Sequence, residues 1–226
     1  MMKSICLIPA RGGSKRVVNK NILRFNNKLI IFWSIQAAIK SKCFDKIVIS
    51  TDSEKIIKIA KKLKIEFVRR PKSLANDRTP LFEVVRHFIK NIDQKYTKVC
   101  CILPCSPLIF YKDIIYAKKQ LNKKTKFIFP ITNYSYPIDR SLVKNNKNYI
   151  NFKNKNVSSK NTQDFNDYFH DAGQFYWGFR EDFLKFKNIF ESKKVKGYFI
   201  PNYRVKDIDN QSDLKIAKNI FKSFFN

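Results

Sequence analysis

The sequence predicts an α/β domain with a mostly parallel sheet and helices on both faces. Three observations lead there. Short apolar segments alternate with helix-length segments through the first two thirds of the chain. The segments "SICLIP", "KIVIS" and "KVCCIL" are near-continuous apolar runs, the pattern of strands covered on both faces. Loops carrying glycine, proline or basic residues follow these strands at once, where parallel sheets place their ligand sites. The arrangement is Rossmann-like.

Each element follows from local pattern. Residues 4–9 form the first strand. Residues 29–42, "LIIFWSIQAAIKSK", are apolar on more than one face and predict a packed helix. Residues 46–50 are the next strand. Ile56, Ile57, Ile59, Ala60 and Leu63 recur at helical spacing, so a helix is expected over 53–62, with Asp52 or Ser53 able to cap it. A short strand covers 66–69. Thr79-Pro80 opens another helix, threonine as cap and proline in the first turn, running to about Ile92. Residues 98–103 predict a fully apolar strand, 111–124 a helix and 127–132 a strand.

The rhythm breaks after Asn133. Residues 133–170 are rich in Asn, Lys, Ser and Tyr and poor in aliphatics. They read as an inserted loop or β-arm within a single domain spanning 1–226. Order returns with "DAGQFYWGF", a helix near 180–187, a strand near 195–200 and a last helix from about Ser212.

Composition narrows the class. The chain has 226 residues, 44% of them hydrophobic, enough for one core. No run approaches the ~18 apolar residues of a membrane span, and the N-terminal stretch lacks a signal-peptide pattern. Five cysteines, Cys6, Cys43, Cys100, Cys101 and Cys105, are scattered irregularly, which predicts reduced thiols and a cytoplasmic protein. Their spacing does not suit zinc. The net charge of +28 makes nucleic acid the first partner to weigh. The lysines of "IKIAKKLK", "YAKKQLNKKTK" and "ESKKVKG" are dispersed, however, and read as solvated faces. A nucleic-acid-binding protein is therefore the distant alternative, and no membrane partner is expected. Dispersed charge does favour an anionic substrate.

The opening loop "PARGGSKRVVNKN" carries the strongest chemical signal. Gly12 and Gly13 let backbone N–H groups approach a phosphate. Arg11, Lys15, Arg16 and Lys20 add charged donors. Neither the dinucleotide nor the Walker spacing is present, so the prediction is a phosphate loop of another kind. A second strand-end loop, "RRPKSLANDRTP", offers Arg70 to a phosphate or nucleotide edge and Asp77 as a residue that holds the loop through backbone bonds. A third, "LPCSPL", offers Ser106, either to a ligand or as a turn cap.

Asp207 and Asp209 in "VKDIDNQSDL" stand two residues apart. In an extended segment both carboxylates face the same way while Ile208 packs inward. Paired hard oxygens beside a polyphosphate suit Mg²⁺; the alternative is an aspartate turn capping the last helix. His170 adjoins Asp171, with Gln174 and Tyr176 following at alternate positions, a plausible polar wall for a sugar. His87 has no such company and reads as structural.

"IPARGGSKRVVNKN" strongly resembles the opening motif of the cytidylyltransferases that activate nine-carbon, sialic-acid-like sugars. "STDSEKI", "RRPKSLANDRTP", "LPCSPL" and "VKDIDNQSDLKIA" follow in order, so the resemblance covers essentially the whole chain. "SYPIDRSL" and "FHDAGQFYWG" resemble the branch acting on pseudaminic acid. The resemblance implies a nucleotidyltransferase fold. It implies that Arg11, Ser14, Lys15 and Asn21 hold CTP, within a loop that also includes Ala10, Gly12 and Gly13. It implies that Arg70 contacts nucleotide and that Asp207 and Asp209 bind Mg²⁺; Ser106 stands beside them as a further nucleotide-binding candidate from its loop position. Lys15, Arg11 and the two aspartates then form the catalytic set. Arg140, His170, Gln174 and Tyr176 become candidates for the sugar, Arg140 for its carboxylate. The segment at 133–170 corresponds to an arm that makes such enzymes homodimers. Leu103-Pro104-Cys105-Ser106 departs from the Gln-Pro-Thr-Ser of the sialic acid branch and lacks the acidic residue of the Kdo enzymes. Both departures count against sialic acid and Kdo as substrates; N-acetylneuraminic and legionaminic acids stay as alternatives to pseudaminic acid.

Overall fold

The alternating pattern folds as alternating layers. In the computed structural model, residues 2–14, 17–154, 157 and 161–224 are described. Strand β1 (Lys3–Pro9) leads through a 3₁₀ turn at Lys20–Ile22 into a small hairpin, β2 (Arg24–Phe25) and β3 (Lys28–Leu29), and then helix α1 (Ile30–Ser41). Next come β4 (Lys46–Thr51), α2 (Glu54–Lys62), β5 (Glu66–Arg69), α3 (Leu81–Lys90), β6 (Tyr96–Ile102), α4 (Tyr111–Gln120) and β7 (Phe127–Asn133). The chain continues through β8 (Leu142–Lys144), β9 (Ile150–Phe152), β10 (Phe169–Asp171), β11 (Phe175–Phe179), α5 (Arg180–Lys185), β12 (Val195–Phe199) and α6 (Gln211–Phe224).

Among the described residues the main sheet runs β10-β7-β11-β6-β1-β4-β5, with β12 also paired to β7. The pairs β1–β4, β1–β6, β4–β5 and β7–β12 are parallel; β10 and β11 run antiparallel to their neighbours. The sheet is mostly parallel, as the apolar runs predict. The chain builds from β1 outward to β5, then returns to place β6 on the other side of β1. Such a reversal opens a crevice beyond the carboxyl ends of β1 and β6.

Two cores cover the two faces. Cys6 and Ile8 of β1 pack with Ile31 and Ile35 of α1, Ile56 of α2 and Ile114 of α4. Ile5 and Leu7, alternating with them, pack with Val85 and Ile89 of α3 and Phe183 of α5. Each such side chain contributes roughly 1.5–3 kcal/mol on burial. A third cluster joins Phe221 and Leu214 of α6 to Phe25, Leu108 and Ile208.

Several boundaries differ from the sequence reading for local reasons. Helix α4 stops at Gln120 because the Asn122 side chain accepts from the N–H groups of Lys124 and Thr125 and turns the chain. Pro80 occupies the N-cap of α3, one position before the first turn. Ser53 is the N-cap of α2 but makes no side-chain cap bond, and Asp52 is used elsewhere. Within the stretch after β7, strands β8 and β9 form an antiparallel hairpin whose residues are all exposed.

One irregularity shapes the site. Asp171 of β10 pairs with Ile131 of β7, but Trp177 of β11 pairs with Ile128. Between these pairs the five residues 172–176 stand opposite only Phe129 and Pro130, and the excess bulges out between Asp171 and Trp177. Gly173, at φ 62°, lies in this bulge.

Gly178 of β11 sits against the aromatic cluster. A Cβ there would lie 2.6 Å from Phe127 Cδ1 and 2.7 Å from Phe183 Cε2. Gly178→Ala is expected to destabilise the fold by about 1–3 kcal/mol through overpacking, read as a lower urea midpoint at constant m-value.

Candidate active site

The loop after β1 is pinned to its neighbours before any ligand is considered. The Gly12 N–H donates to Asp52 Oδ1 at 2.9 Å. A Cβ on Gly12 would lie 2.9 Å from Ser53 Cβ, so this close approach requires glycine. Asn21, buried, donates from Nδ2 to the Arg11 carbonyl at 2.8 Å and closes the loop on itself. Arg11 Nη2 reaches Asp77 Oδ1 at 2.6 Å and bridges to the loop after β5. Within that loop Asn76 accepts at Oδ1 from the N–H groups of Arg78 and Thr79.

Arg70, at the end of β5, is 7% exposed. Its Nε and Nη2 have no hydrogen-bond partner among the described residues. Burial pushes its pKa down, Asp52 opposes that, and Arg11 adds to it. A desolvated guanidinium with such donors is chemically suited to an anion.

Asp207 and Asp209 meet at one point. Lys20 Nζ lies 3.2 Å from Asp207 Oδ1 and 3.3 Å from Asp209 Oδ1. Ile208 between them is fully buried in the α6 cluster, as the alternation predicts. The segment lacks regular structure, yet it is anchored along its length. Arg204 is ion-paired to buried Asp113 of α4, and Tyr198 OH donates to the same carboxylate at 3.2 Å. The Gln174 amide donates to the Arg204 carbonyl at 3.1 Å. Beyond the pair, the Asp209 N–H donates to Asp213 Oδ2, and Lys206 holds Asp213 at 2.6 Å. The tether to the sheet therefore fixes where the carboxylates stand.

The loop after β6 closes the floor. Ser106 Oγ donates to the Gly173 carbonyl in the bulge at 3.2 Å. Asp171 braces the same bulge: Oδ1 accepts from the Gly173 N–H at 2.8 Å and Oδ2 from Tyr176 OH at 2.6 Å. Burial and the Asp171 carboxylate push the Tyr176 hydroxyl pKa well up, so it is a donor. Burial likewise pushes Cys105 up to about 12, despite nearby Lys20.

These loops surround one cavity of about 540 Å³. Arg11, Ser14, Asn21, Arg70, Ser106, Asp207 and Asp209 line it, from four separate stretches of chain. Ala10 is buried beside it, its N–H donating to the Ser50 carbonyl. A Cβ on Gly13 would meet nothing within 4 Å among the described residues, and Gly13 is not in the lining. Lys15 and Arg16 lie outside the described residues. The four sugar candidates are not in the lining. Gln174 adjoins it beside Gly173, Tyr176 faces Phe129 and Cys101 in the core, the His170 ring packs at a tilt against Tyr134 with centroids 4.9 Å apart, and Arg140 lies over Phe165 at 5.6 Å. The bulge accounts for this dispersal: it breaks the strict alternation that would put His170, Gln174 and Tyr176 on one face. The sequence reading names Asp52 only as a cap candidate and Asp171 only as the neighbour of His170, and it misses Arg204, because their bonds to Gly12, Tyr176 and Asp113 reach beyond the local pattern. Lys20 was within reach of it, as one cation of the first loop.

A glycine loop, a buried arginine with unused donors and two convergent carboxylates at the switch point of a parallel sheet define a nucleotide-binding α/β enzyme. The cytidylyltransferase family model matches residues 5–214, and the chain belongs to that family. It is a nucleotidyltransferase. A pseudaminic acid cytidylyltransferase from Campylobacter jejuni subsp. jejuni serotype O:2 is 37% identical over 98% of this chain and 97% of its own. An N-acylneuraminate cytidylyltransferase from Escherichia coli O18:K1:H7 is 29% identical over 96% of this chain and 52% of its own. Among solved structures, CMP:2-keto-3-deoxy-manno-octonic acid synthetase complexed with CTP superposes with a TM-score of 0.72 at 14% identity, covering 98% of this chain and 99% of that one. At that identity the likeness is one of fold. Among the described residues no helix is long and apolar enough to cross a membrane.

Two outcomes follow from the electrostatics. Arg70→Met is expected to raise the Tm of the ligand-free protein, by relieving a poorly compensated buried charge, while weakening CTP binding at least about tenfold, near 1.4 kcal/mol; thermal melts with and without CTP measure both. Cys105, held as a neutral thiol, is expected to react with a thiol-alkylating reagent at pH 8 far more slowly than free cysteine. Peptide mapping of the alkylated protein reads that rate.

Proposed function

We propose that the protein transfers CMP from CTP to pseudaminic acid, releasing pyrophosphate. The observation that carries this reading is the convergence of Asp207 Oδ1 and Asp209 Oδ1 on one cation position in the cavity that Arg70 and the glycine loop also line. The identity to pseudaminic acid cytidylyltransferases over nearly the full chain supports the choice of sugar.

The reaction needs charge neutralisation and alignment more than covalent chemistry. The sugar's anomeric hydroxyl attacks the α-phosphorus in line, and pyrophosphate leaves. Arg11 and Arg70 bind phosphate oxygens through charge-assisted donors, with Lys15 in the same role. Backbone N–H groups near Gly12 and Gly13, with Ser14 and Asn21, hold the nucleotide, and Ser106 contacts it from the third loop. The donor set at Asp207 and Asp209 fits Mg²⁺, since two hard oxygens already meet at one cation distance and a triphosphate supplies others. Bound there, Mg²⁺ would neutralise phosphate charge and lower the barrier to attack. Arg140, His170, Gln174 and Tyr176 remain the candidates for the sugar. Arg140 and His170 are absent from the cavity lining, which fits a pocket completed by a second copy, with the arm at 133–170 making a homodimer. The protein works in the cytoplasm in this reading.

The test is pyrophosphate release from CTP and Mg²⁺ with pseudaminic, legionaminic and N-acetylneuraminic acids offered separately. Release with pseudaminic acid alone is the expected result. Release with another sugar alone would overturn the substrate but keep the reaction. Asp209→Ala is expected to abolish turnover with an unchanged circular-dichroism spectrum; near-wild-type turnover would remove it from the metal site.

A further inference from the structure

We propose that Lys20 keeps the Asp207–Asp209 pair closed to divalent cations until nucleotide arrives, so that nucleotide and metal binding are coupled through its side chain. The inference rests on the reading of the pair as the metal site.

The geometry is specific. The Lys20 ammonium stands 3.2 Å and 3.3 Å from one oxygen of each carboxylate, at the point where a cation bridging them would stand. A dication cannot stand at that point while the ammonium does, because the space is filled and the two positive charges repel. The Lys20 backbone is not free to withdraw. Its N–H donates to the Val17 carbonyl at 3.1 Å, its carbonyl faces Cys105 Sγ at 3.9 Å, and the next residue, Asn21, is buried and bonded to Arg11. Release of the pair must therefore come from the side chain alone, whose flexible stem allows it.

A triphosphate supplies the reason to move. Lys20 lines the same cavity as Arg11, Arg70 and Ser106. Phosphate oxygens entering there offer the ammonium new acceptors and add negative charge that a dication can neutralise. Lys20 then leaves the carboxylates as the metal takes them. Lys20 is in this respect a positioning residue, acting on the metal through the aspartates. Because coupling of this kind is reciprocal, metal raises nucleotide affinity by the same factor.

The test measures Mn²⁺ binding by electron paramagnetic resonance on the full chain, without nucleotide. Wild type is expected to bind Mn²⁺ weakly, and Lys20→Met to bind it about tenfold tighter or more. Lys20→Arg should stay as weak as wild type, since it restores the charge. Adding Asp209→Ala to Lys20→Met should erase the gain. Equal Mn²⁺ affinity in wild type and Lys20→Met would overturn the proposal, as would a gain that survives Asp209→Ala. Lys20→Gln serves if thermal melting shows the methionine variant unfolded. Wild type that binds no Mn²⁺ even with CTP would instead sink the metal-site reading itself, and this inference with it.

Discussion

Strand β1 is paired on both edges, to β4 and to β6, and packed on both faces. Everything at the site depends on that placement. A strand with no free edge and no wet face cannot shift register without moving apolar side chains to the wrong core. Its carboxyl end is thus a fixed point, and Pro9 delivers the glycine loop to the place where the strand order reverses. The loops after β5 and β6 reach the same crevice because their strands share that direction.

The described cavity lining sets three cations, Arg11, Lys20 and Arg70, against three carboxylates, Asp77, Asp207 and Asp209. Arg11 and Lys20 have found carboxylates, Asp77 for one and the Asp207–Asp209 pair for the other. The Nε and Nη2 of Arg70 have no such partner among the described residues. In the proposed reading, the ion pairs that hold these loops are the ones a triphosphate would exchange. The large positive net charge is a separate matter. It is spread over helix surfaces, where salt screens it, and its part is confined to drawing anions toward the protein.

The aspartate segment shows how irregular backbone can be held as firmly as a strand. Ile208 fills the α6 cluster, Arg204 is locked to a buried carboxylate on α4, and Gln174 ties the segment to the bulge. The bulge is in turn braced by Asp171 and joined to the β6 loop through Ser106. The glycine loop, the aspartate pair and the strand after the bulge are linked through these few bonds rather than through a common element.

The sequence by itself determined the layered α/β plan, because apolar periodicity is local and its two-sided strands admit few arrangements. It also determined the glycine loop and the convergence of Asp207 and Asp209, since glycine freedom and the i, i+2 geometry of an extended chain act over a few residues. Only the tertiary structure decided that β11 runs back between β6 and β7, that a bulge takes Tyr176 into the core, and that Lys20 occupies the space between the two aspartates. Those outcomes depend on partners as far as 189 residues away. No local pattern encodes them: they follow from which surfaces remain to be covered, and which charges to be paired, once the core has closed.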